Sequence, residues 1–510
     1  MTHTAPCTLG ELLAGFAEVP AALAAWPVTG LAVDSRQLRT GETFFALRGL
    51  QRHGLAFWDA VQRAGAAVVL WEPPYDGPLP SGDGSPALVA VPNLQRVLGP
   101  IASRFYREPS RHLPVTGITG TDGKTSCAHF IAQALSDAEQ GPCGIMGTLG
   151  VGCYGATRPA THTTPDALQV QRWLAEVRTA GGRYAVMEAS SHALDQGRVN
   201  GVEFAVAVLT NLTRDHLDYH GSLEAYAAAK RRLFHDCKPR WGVLNLNDAF
   251  GRELLADPAG RFRAIGYGFG DQPQRLERFV WGEALTLTPA GLRMQIRSSW
   301  GDGELQAGLL GRFNAHNLLA ALAALLALDM PFEQALARLA RTATVPGRME
   351  RLGGESGQPL AVIDYAHTPY ALEQVLGALR EHGGGRLWCV FGCGGDRDAG
   401  KRPLMGAIAE RLADRAIVTD DNPRTEDPDR IVGDILAGMR RPQAATVIRD
   451  RRAAILHTLA EAATGDVVLI AGKGDEDYQI IGVERRSFSD RAVALEGLSE
   501  RPKGLTNDYE

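Results

Sequence analysis

The stretch Gly117-Ile118-Thr119-Gly120-Thr121-Asp122-Gly123-Lys124-Thr125-Ser126 constrains the fold more than any other part of the chain. The apolar run LPVTGIT leads into it, and the helical pattern SCAHFIAQALSDA leaves it. A strand that turns through a glycine loop into a helix offers backbone amides and a helix N-terminus to phosphate oxygens. The arrangement therefore reads as a mononucleotide site in an α/β sheet, with Gly120 to Ser126 around the phosphates. Lys124 would reach the β and γ phosphates, and the Thr125 hydroxyl would hold magnesium. The spacing departs from the common phosphate loop, since Ile118 stands where a glycine is usual. An ordinary glycine turn before a helix is the plain alternative, and GKTS in a strand-loop-helix context argues against it.

The rest of the chain supplies more α/β units. With 510 residues it exceeds one core, and domains of ~100–200 residues make three or so the expectation. Residues 1–105 alternate short apolar runs (TFFALRG, AAVVLWE, ALVAVPN) with helical patterns and form a first α/β unit. Residues 106–345 hold the phosphate loop and the strand-like runs YAVMEAS, FAVAVLTNL and GVLNLN, in the pattern of a mostly parallel sheet. The alternating stretch 278–310 looks antiparallel. Residues 346–510 carry AVIDY, LWCVFG, RAIVTD and VVLIAG between helices, which reads as an open, Rossmann-like sheet. The polar tail after about Leu498 is expected to fray.

Composition excludes several classes. The formal charge is −5, from 53 basic and 58 acidic residues, which gives no reason to expect nucleic-acid binding. Seven cysteines, an odd number without paired metal-ligand spacing, read as reduced and mostly buried. The N-terminus MTHTAPCTLGELLAGF shows no secretory pattern, and the longest apolar run, Leu318 to Leu328, is short of the ~20 residues that cross a bilayer. The expectation is a cytoplasmic protein without membrane insertion.

Four later motifs follow the loop in order: MEASSHALDQGRV (187–199), TNLTRDHLDYHGSLEAYAAAK (210–230), GRFNAHN (311–317) and DYAHTP (364–369). With the shifted loop form GxxGTxGKT, they make the chain resemble the Mur ligase family and its relative folylpolyglutamate synthase. The resemblance spans nearly the whole length. VDSR with TFFALRG, THTTPD, CGGDRDAGKRPLMG and DNPRTEDP make it most similar to the members that add the third residue of the peptide stem. That implies an N-terminal UDP-binding α/β domain, a central P-loop ATPase domain and a C-terminal Rossmann-like domain for the incoming amino acid. A monomer is expected. The implied reaction joins a diamino acid to UDP-N-acetylmuramoyl-L-alanyl-D-glutamate through an acyl phosphate, with ATP as phosphoryl donor. Remote alternatives are folylpolyglutamate synthase itself and a regulatory module that binds nucleotide without turnover.

The resemblance also implies residue roles. Glu188 and His216, with Thr125, would bind two magnesium ions; a solvated strand end and a structural histidine are the plain readings. Lys230 would be carbamylated by carbon dioxide to hold the second metal, where the residue alone reads as a solvated lysine at a helix end. Asn314, Asn317, Arg348, Asp364 and His367 would line the ATP site at the domain junction, although Asn314 could equally be a cap. Thr163, Thr164, Ser191, Gln196 and Arg198 match positions that hold the muramoyl dipeptide, and Ser35 matches a uridine contact. The match weakens at the UDP end, where His53 replaces the usual Asp.

For the amino acid, Asp421-Asn422-Pro423-Arg424 matches the pattern associated with meso-diaminopimelate. Arg424 would grip its distal carboxylate, with Asn422 and Arg397 beside it. A surface turn at Pro423, with Arg424 paired to Glu426 or Asp427, is the plain reading. Gly472 and Glu476 match the other half of that pocket, but Asp475 stands where histidine is usual. Its negative charge would favour L-ornithine or L-lysine; diaminopimelate remains the expectation, because an unpaired Arg424 in a desolvated pocket costs ~1–3 kcal/mol.

Overall fold

The computed structural model describes residues 7–49, 52–80, 86–136, 141–257, 259–271, 276–354 and 357–500. These form two compact units, one of residues 1–280 and 319–335 and the other of 281–318 and 336–510. Residues 281–318, inside the expected 106–345 segment, thus pack with the second unit. Most of the tail expected to fray, residues 501–510, lies outside the described residues; Ser499 closes the helix Asp490–Ser499.

In the first unit, the strands Leu31–Ala32, Thr43–Ala46, Val68–Trp71 and Ala87–Ala90 lie side by side in chain order, all parallel. Their side chains feed two apolar clusters, one around Phe45, Val68 and Leu70 and one around Phe44, Ala46 and Val69. That alternation is what a strand covered on both faces requires.

The phosphate-loop strand, Val115–Thr119, is flanked by Tyr184–Glu188 on one side and Phe204–Leu209 on the other. Beyond them lie Cys143–Gly147 on the first side and Trp241–Asn245 then Arg263–Phe269 on the second, all parallel. The chain runs from Val115–Thr119 to Cys143–Gly147 on one side of it, returns to Tyr184–Glu188, and then crosses to Phe204–Leu209 on the other side. A crevice at the carboxyl ends of the strands is expected at such a switch point, and the glycine loop opens there.

In the second unit the order is Glu350–Gly353, Leu360–Asp364, Val467–Ala471, Leu387–Phe391, Arg415–Val418, Thr446–Val447, with only the first pair antiparallel. Alternate residues fill opposite cores: Val362, Cys389, Phe391 and Leu469 on one face, Ile363, Trp388, Val390 and Ile470 on the other. Gly291–Ser298 and Gly301–Ala307 pair antiparallel, as the alternating pattern suggested. The hairpin Tyr478–Ile481 with Glu484–Ser487 was not anticipated. Among the described residues no helix is long and apolar enough to cross a membrane.

Candidate active site

The glycine loop is built from both ends. Gly120 has φ +148°, and a Cβ there would collide with Thr210 Oγ1, so the position excludes side chains. Gly123, at φ +82°, starts the helix Lys124–Leu135. From the next strand's end, Asn211 Oδ1 accepts from the Asp122 amide at 2.9 Å and Thr210 Oγ1 donates to the Asp122 carbonyl at 2.6 Å. The Thr121 hydroxyl lies 3.2 Å from that of Tyr226. Thr210, Asn211 and Tyr226 were not singled out as site residues, since their role is to hold a loop remote in sequence.

Two lysines converge on one carbonyl. Lys124 Nζ donates to the Gly120 and Thr121 carbonyls at 2.9 and 2.7 Å, and Lys230 Nζ donates to Gly120 at 2.6 Å. Lys230 does not end its helix, which runs Leu223–His235, and it is only 1% exposed, with its ammonium 4.2 Å from the Tyr226 ring centroid. The solvated-lysine reading is thereby excluded. Burial first, then the charge of Lys124, lowers its pKa to about 6.

Glu188 is likewise no solvated strand end: it is 1% exposed. Its carboxylate accepts from Thr125 Oγ1 at 3.0 and 3.1 Å and from the Thr148 amide at 2.8 Å. The structure thus brings the Thr125 hydroxyl and the Glu188 carboxylate together. His216, at φ +52°, pairs with Asp215 at 3.3 Å, and its ring packs against those of His192 and Tyr226.

The residues matched to the dipeptide form one chain of contacts. Thr164 Oγ1 donates to the Glu188 carbonyl at 2.7 Å, and Arg198 Nη1 donates to the Thr164 carbonyl at 2.7 Å. Arg198 also holds Gln196 Oε1, and Gln196 reaches the Tyr219 hydroxyl at 3.0 Å. Thr163 lies 3.2 Å from the Thr148 hydroxyl, and Ser191 3.0 Å from His220 Nε2. Ser35 sits in the turn after Leu31–Ala32, and among the described residues no hydrogen bond ties it to this constellation. His53 caps the short helix Gly54–Phe57, its Nδ1 accepting from the Leu55 amide at 3.1 Å. It thus does the capping job for which an Asp would also serve.

In the second unit, Asn314 is no cap: it lies inside the helix Arg312–Ala327, and its Nδ2 donates to the Leu310 carbonyl at 2.8 Å. Asn317 Nδ2 donates to Asn314 Oδ1 at 3.1 Å, so the two amides share a helix face. Asp364 accepts from the Met349 and Ala366 amides, and burial pushes its pKa up to about 6. Arg348 stacks 4.7 Å from the Tyr365 ring centroid, whose neighbour His367 is exposed.

The DNPR segment is more than a surface turn. Asp421, Asn422 and Pro423 are buried and Arg424 is half-buried at φ +50°. Arg424 Nη1 donates to the Gly395 carbonyl at 2.7 Å, and its amide donates to Ile480 in the hairpin. Glu426 is taken instead by the buried Arg402 at 2.6 Å, so among the described residues Arg424 has no ion pair. Asn422 Nδ2 donates to Glu476 Oε2 at 3.1 Å. Gly472, at φ +118°, places its α-carbon against Asp421, where a Cβ would lie 2.6 Å from Oδ2. Arg397 is exposed; a Cβ at Gly394 would lie 3.7 Å from its Cγ and 2.9 Å from Arg424 Nη1. Asp475 is exposed overall, yet partial desolvation raises its carboxyl, opposed first by the charge of Arg348.

Residues 118–325 match the Mur ligase middle domain, and residues 347–474 match the Mur ligase glutamate ligase domain. The chain belongs to the Mur ligase family. It is similar to a UDP-N-acetylmuramoyl-L-alanyl-D-glutamate–2,6-diaminopimelate ligase of Alkalilimnicola ehrlichii, 52% identical over 93% of this chain and 95% of the relative. A ligase of the same name from Ectopseudomonas mendocina is 50% identical over 97% and 98% of the two chains. A solved structure of a ligase bearing that name superposes with a TM-score of 0.74 at 36% identity, covering 97% of this chain and 99% of the other. Among Mur ligases the chain thus stands with the MurE enzymes, and it is an ATP-dependent ligase of peptidoglycan synthesis.

Proposed function

We propose that this Mur ligase joins meso-diaminopimelate to the D-Glu side-chain carboxylate of UDP-N-acetylmuramoyl-L-alanyl-D-glutamate, converting ATP to ADP and phosphate. The observation that carries the choice of amino acid is the guanidinium of Arg424, half-buried two residues from Asn422, held by the Gly395 carbonyl and without a carboxylate partner among the described residues. A distal carboxylate, which diaminopimelate has and lysine and ornithine lack, would fill the bidentate fork. The functional division is 1–105 for the UDP end, 106–345 for ATP and 346–510 for the amino acid. The enzyme works as a cytoplasmic monomer.

The site fits magnesium by its donors. The Thr125 hydroxyl and the buried Glu188 carboxylate converge, while among the described residues no three His, Cys, Asp or Glu side chains do. Few protein oxygens, completed by water and phosphate, are the habit of magnesium. Two ions, held by Thr125, Glu188, His216 and a carbamate on Lys230, would neutralise charge on the phosphoryl oxygens. The neutral Lys230 amine, as its lowered pKa implies, adds to carbon dioxide and releases a proton, becoming an anion.

Lys124 and the loop amides orient the γ-phosphoryl group, with Asn314, Asn317, Arg348, Asp364 and His367 assigned to the nucleotide. Thr163, Thr164, Ser191, Gln196 and Arg198 hold the dipeptide, and Ser35 the uridine. The D-Glu oxygen bonds to the γ-phosphorus as the bridging bond to ADP breaks, giving an acyl phosphate. The free amine then attacks the acyl carbon, the new C–N bond forms, and phosphate leaves with the amine's proton lost to solvent. No enzyme nucleophile is needed.

Competition among meso-diaminopimelate, L-ornithine and L-lysine at equal concentration tests the reading. Diaminopimelate should be incorporated in large excess. If lysine or ornithine wins, Arg424 does not set specificity, and Asp475→His becomes the informative variant.

A further inference from the structure

Lys473 lies between Asn422 and Glu476, two of the side chains that the proposed reading gives to the amino acid, yet it is fully buried. Its Nζ donates to Glu476 Oε2 at 2.9 Å and to Asn422 Oδ1 at 3.1 Å, and the Tyr478 ring centroid lies 5.3 Å away. Asn422 Oδ1 also accepts from the Ile480 amide at 2.9 Å, which fixes the flip of the amide and turns its Nδ2 toward Glu476. Glu476 Oε2 is therefore doubly donated to, while among the described residues Oε1 faces only a 3.4 Å contact from the Tyr478 hydroxyl.

The charges around this network are unevenly matched. Glu476 already has its counter-ion in Lys473, whereas Arg424 has none among the described residues. Without Lys473, the Glu476 carboxylate would be the uncompensated charge, and a ligand bringing a lone distal ammonium would be its natural partner. With Lys473 in place, Glu476 still accepts a hydrogen bond from an ammonium but no longer demands a net cation. We infer that Lys473 is a specificity-determining residue, its buried ammonium cancelling the charge of Glu476 so that the pocket prefers a zwitterionic distal end over a purely cationic one. This rests on the reading that Asn422, Arg424 and Glu476 receive the amino acid. Beside the fork of Arg424, it assigns part of the discrimination against lysine and ornithine to a residue that need not touch the ligand.

The experiment compares kcat/KM for meso-diaminopimelate and L-lysine in wild type, Lys473→Gln and Lys473→Arg, with KM for ATP and for the UDP-dipeptide as internal controls. Lys473→Gln keeps a donor and removes the charge. A unit charge at this range in a half-buried site shifts relative affinity by roughly tenfold or more. The ratio of diaminopimelate to lysine should fall by that factor in Lys473→Gln, should be largely kept in Lys473→Arg, and the two control KM values should stay put. An unchanged ratio in folded Lys473→Gln overturns the inference while leaving the reaction intact. A wild type that does not prefer diaminopimelate overturns the proposed function itself. Should Lys473→Gln fail to fold, Glu476→Gln gives the opposite arm: the ammonium then stands uncompensated, and the ratio must rise, since an equal or lower ratio also refutes the inference.

Discussion

Removing the Lys230 amine tests the centre of the proposed chemistry. The side chain is 1% exposed and its pKa is lowered to about 6. At pH 8 roughly 99% of it is neutral, against roughly 0.3% of an ordinary lysine, a gain of about 300-fold in amine able to react with carbon dioxide. Lys230→Ala loses that amine, the anion it would become and the donor to the Gly120 carbonyl. Loss of one such preorganised group costs about 10²–10³ in turnover. The assay is ADP release with all three substrates, in buffer with and without carbon dioxide, and with a short carboxylic acid added to the variant. Wild type should lose activity when carbon dioxide is stripped, and the acid should restore part of it to Lys230→Ala. Unimpaired turnover in Lys230→Ala would refute the reasoning. A second consequence has the opposite sign. The folded value lies below the ordinary 10.5, so the unfolded chain binds more protons from about 6 to 10.5. Burying this lysine therefore costs stability in full below about 6, and the cost fades as pH rises toward 10.5. In carbon dioxide-free buffer at pH 7, Lys230→Met should be inactive yet melt at a higher temperature than wild type.

Arg424→Met should lower kcat/KM for diaminopimelate by about 10–150-fold, from the loss of ~1.5–3 kcal/mol of charge-assisted bonding, with KM for ATP unchanged; Arg424→Lys should recover little, because the fork is lost. Arg451 and Asp490 are both fully buried and pair at 2.7 Å, with Arg451 also holding the Ala471 carbonyl at 2.9 Å. Arg451→Met should cost ~3–5 kcal/mol in urea unfolding, and adding Asp490→Leu should restore much of it; a cost under ~1 kcal/mol would mean that Asp490 escapes to solvent. Positional isotope exchange in ATP, with the UDP-dipeptide present and the amino acid withheld, should reveal reversible acyl phosphate formation. Silence, where the β-phosphate of bound ADP rotates freely, favours a concerted route.

What could be read from the sequence was whatever local periodicity and short motifs encode. Apolar runs gave the strands Tyr184–Glu188, Phe204–Leu209 and Val467–Ala471, because strand periodicity is local, and the glycines from Gly120 to Gly123 marked the turn into the helix Lys124–Leu135, although Thr210, Asn211 and Tyr226 hold that turn from far along the chain. Hairpin Tyr478–Ile481 with Glu484–Ser487 escaped notice because the short run DYQIIGVERRSF mixes apolar with charged residues and has only Gly482 as punctuation. Burial and pairing belong to the tertiary structure alone. Glu188, Lys230 and Lys473 look like solvated charges in a string of letters, and only packing against residues tens to a hundred positions away takes them out of water. The same holds for Arg424: Glu426 is two residues off, but the fold gives that carboxylate to Arg402 and leaves the guanidinium for something else. Ionisation and partner choice depend on solvent access and on distances through space, which local sequence does not specify.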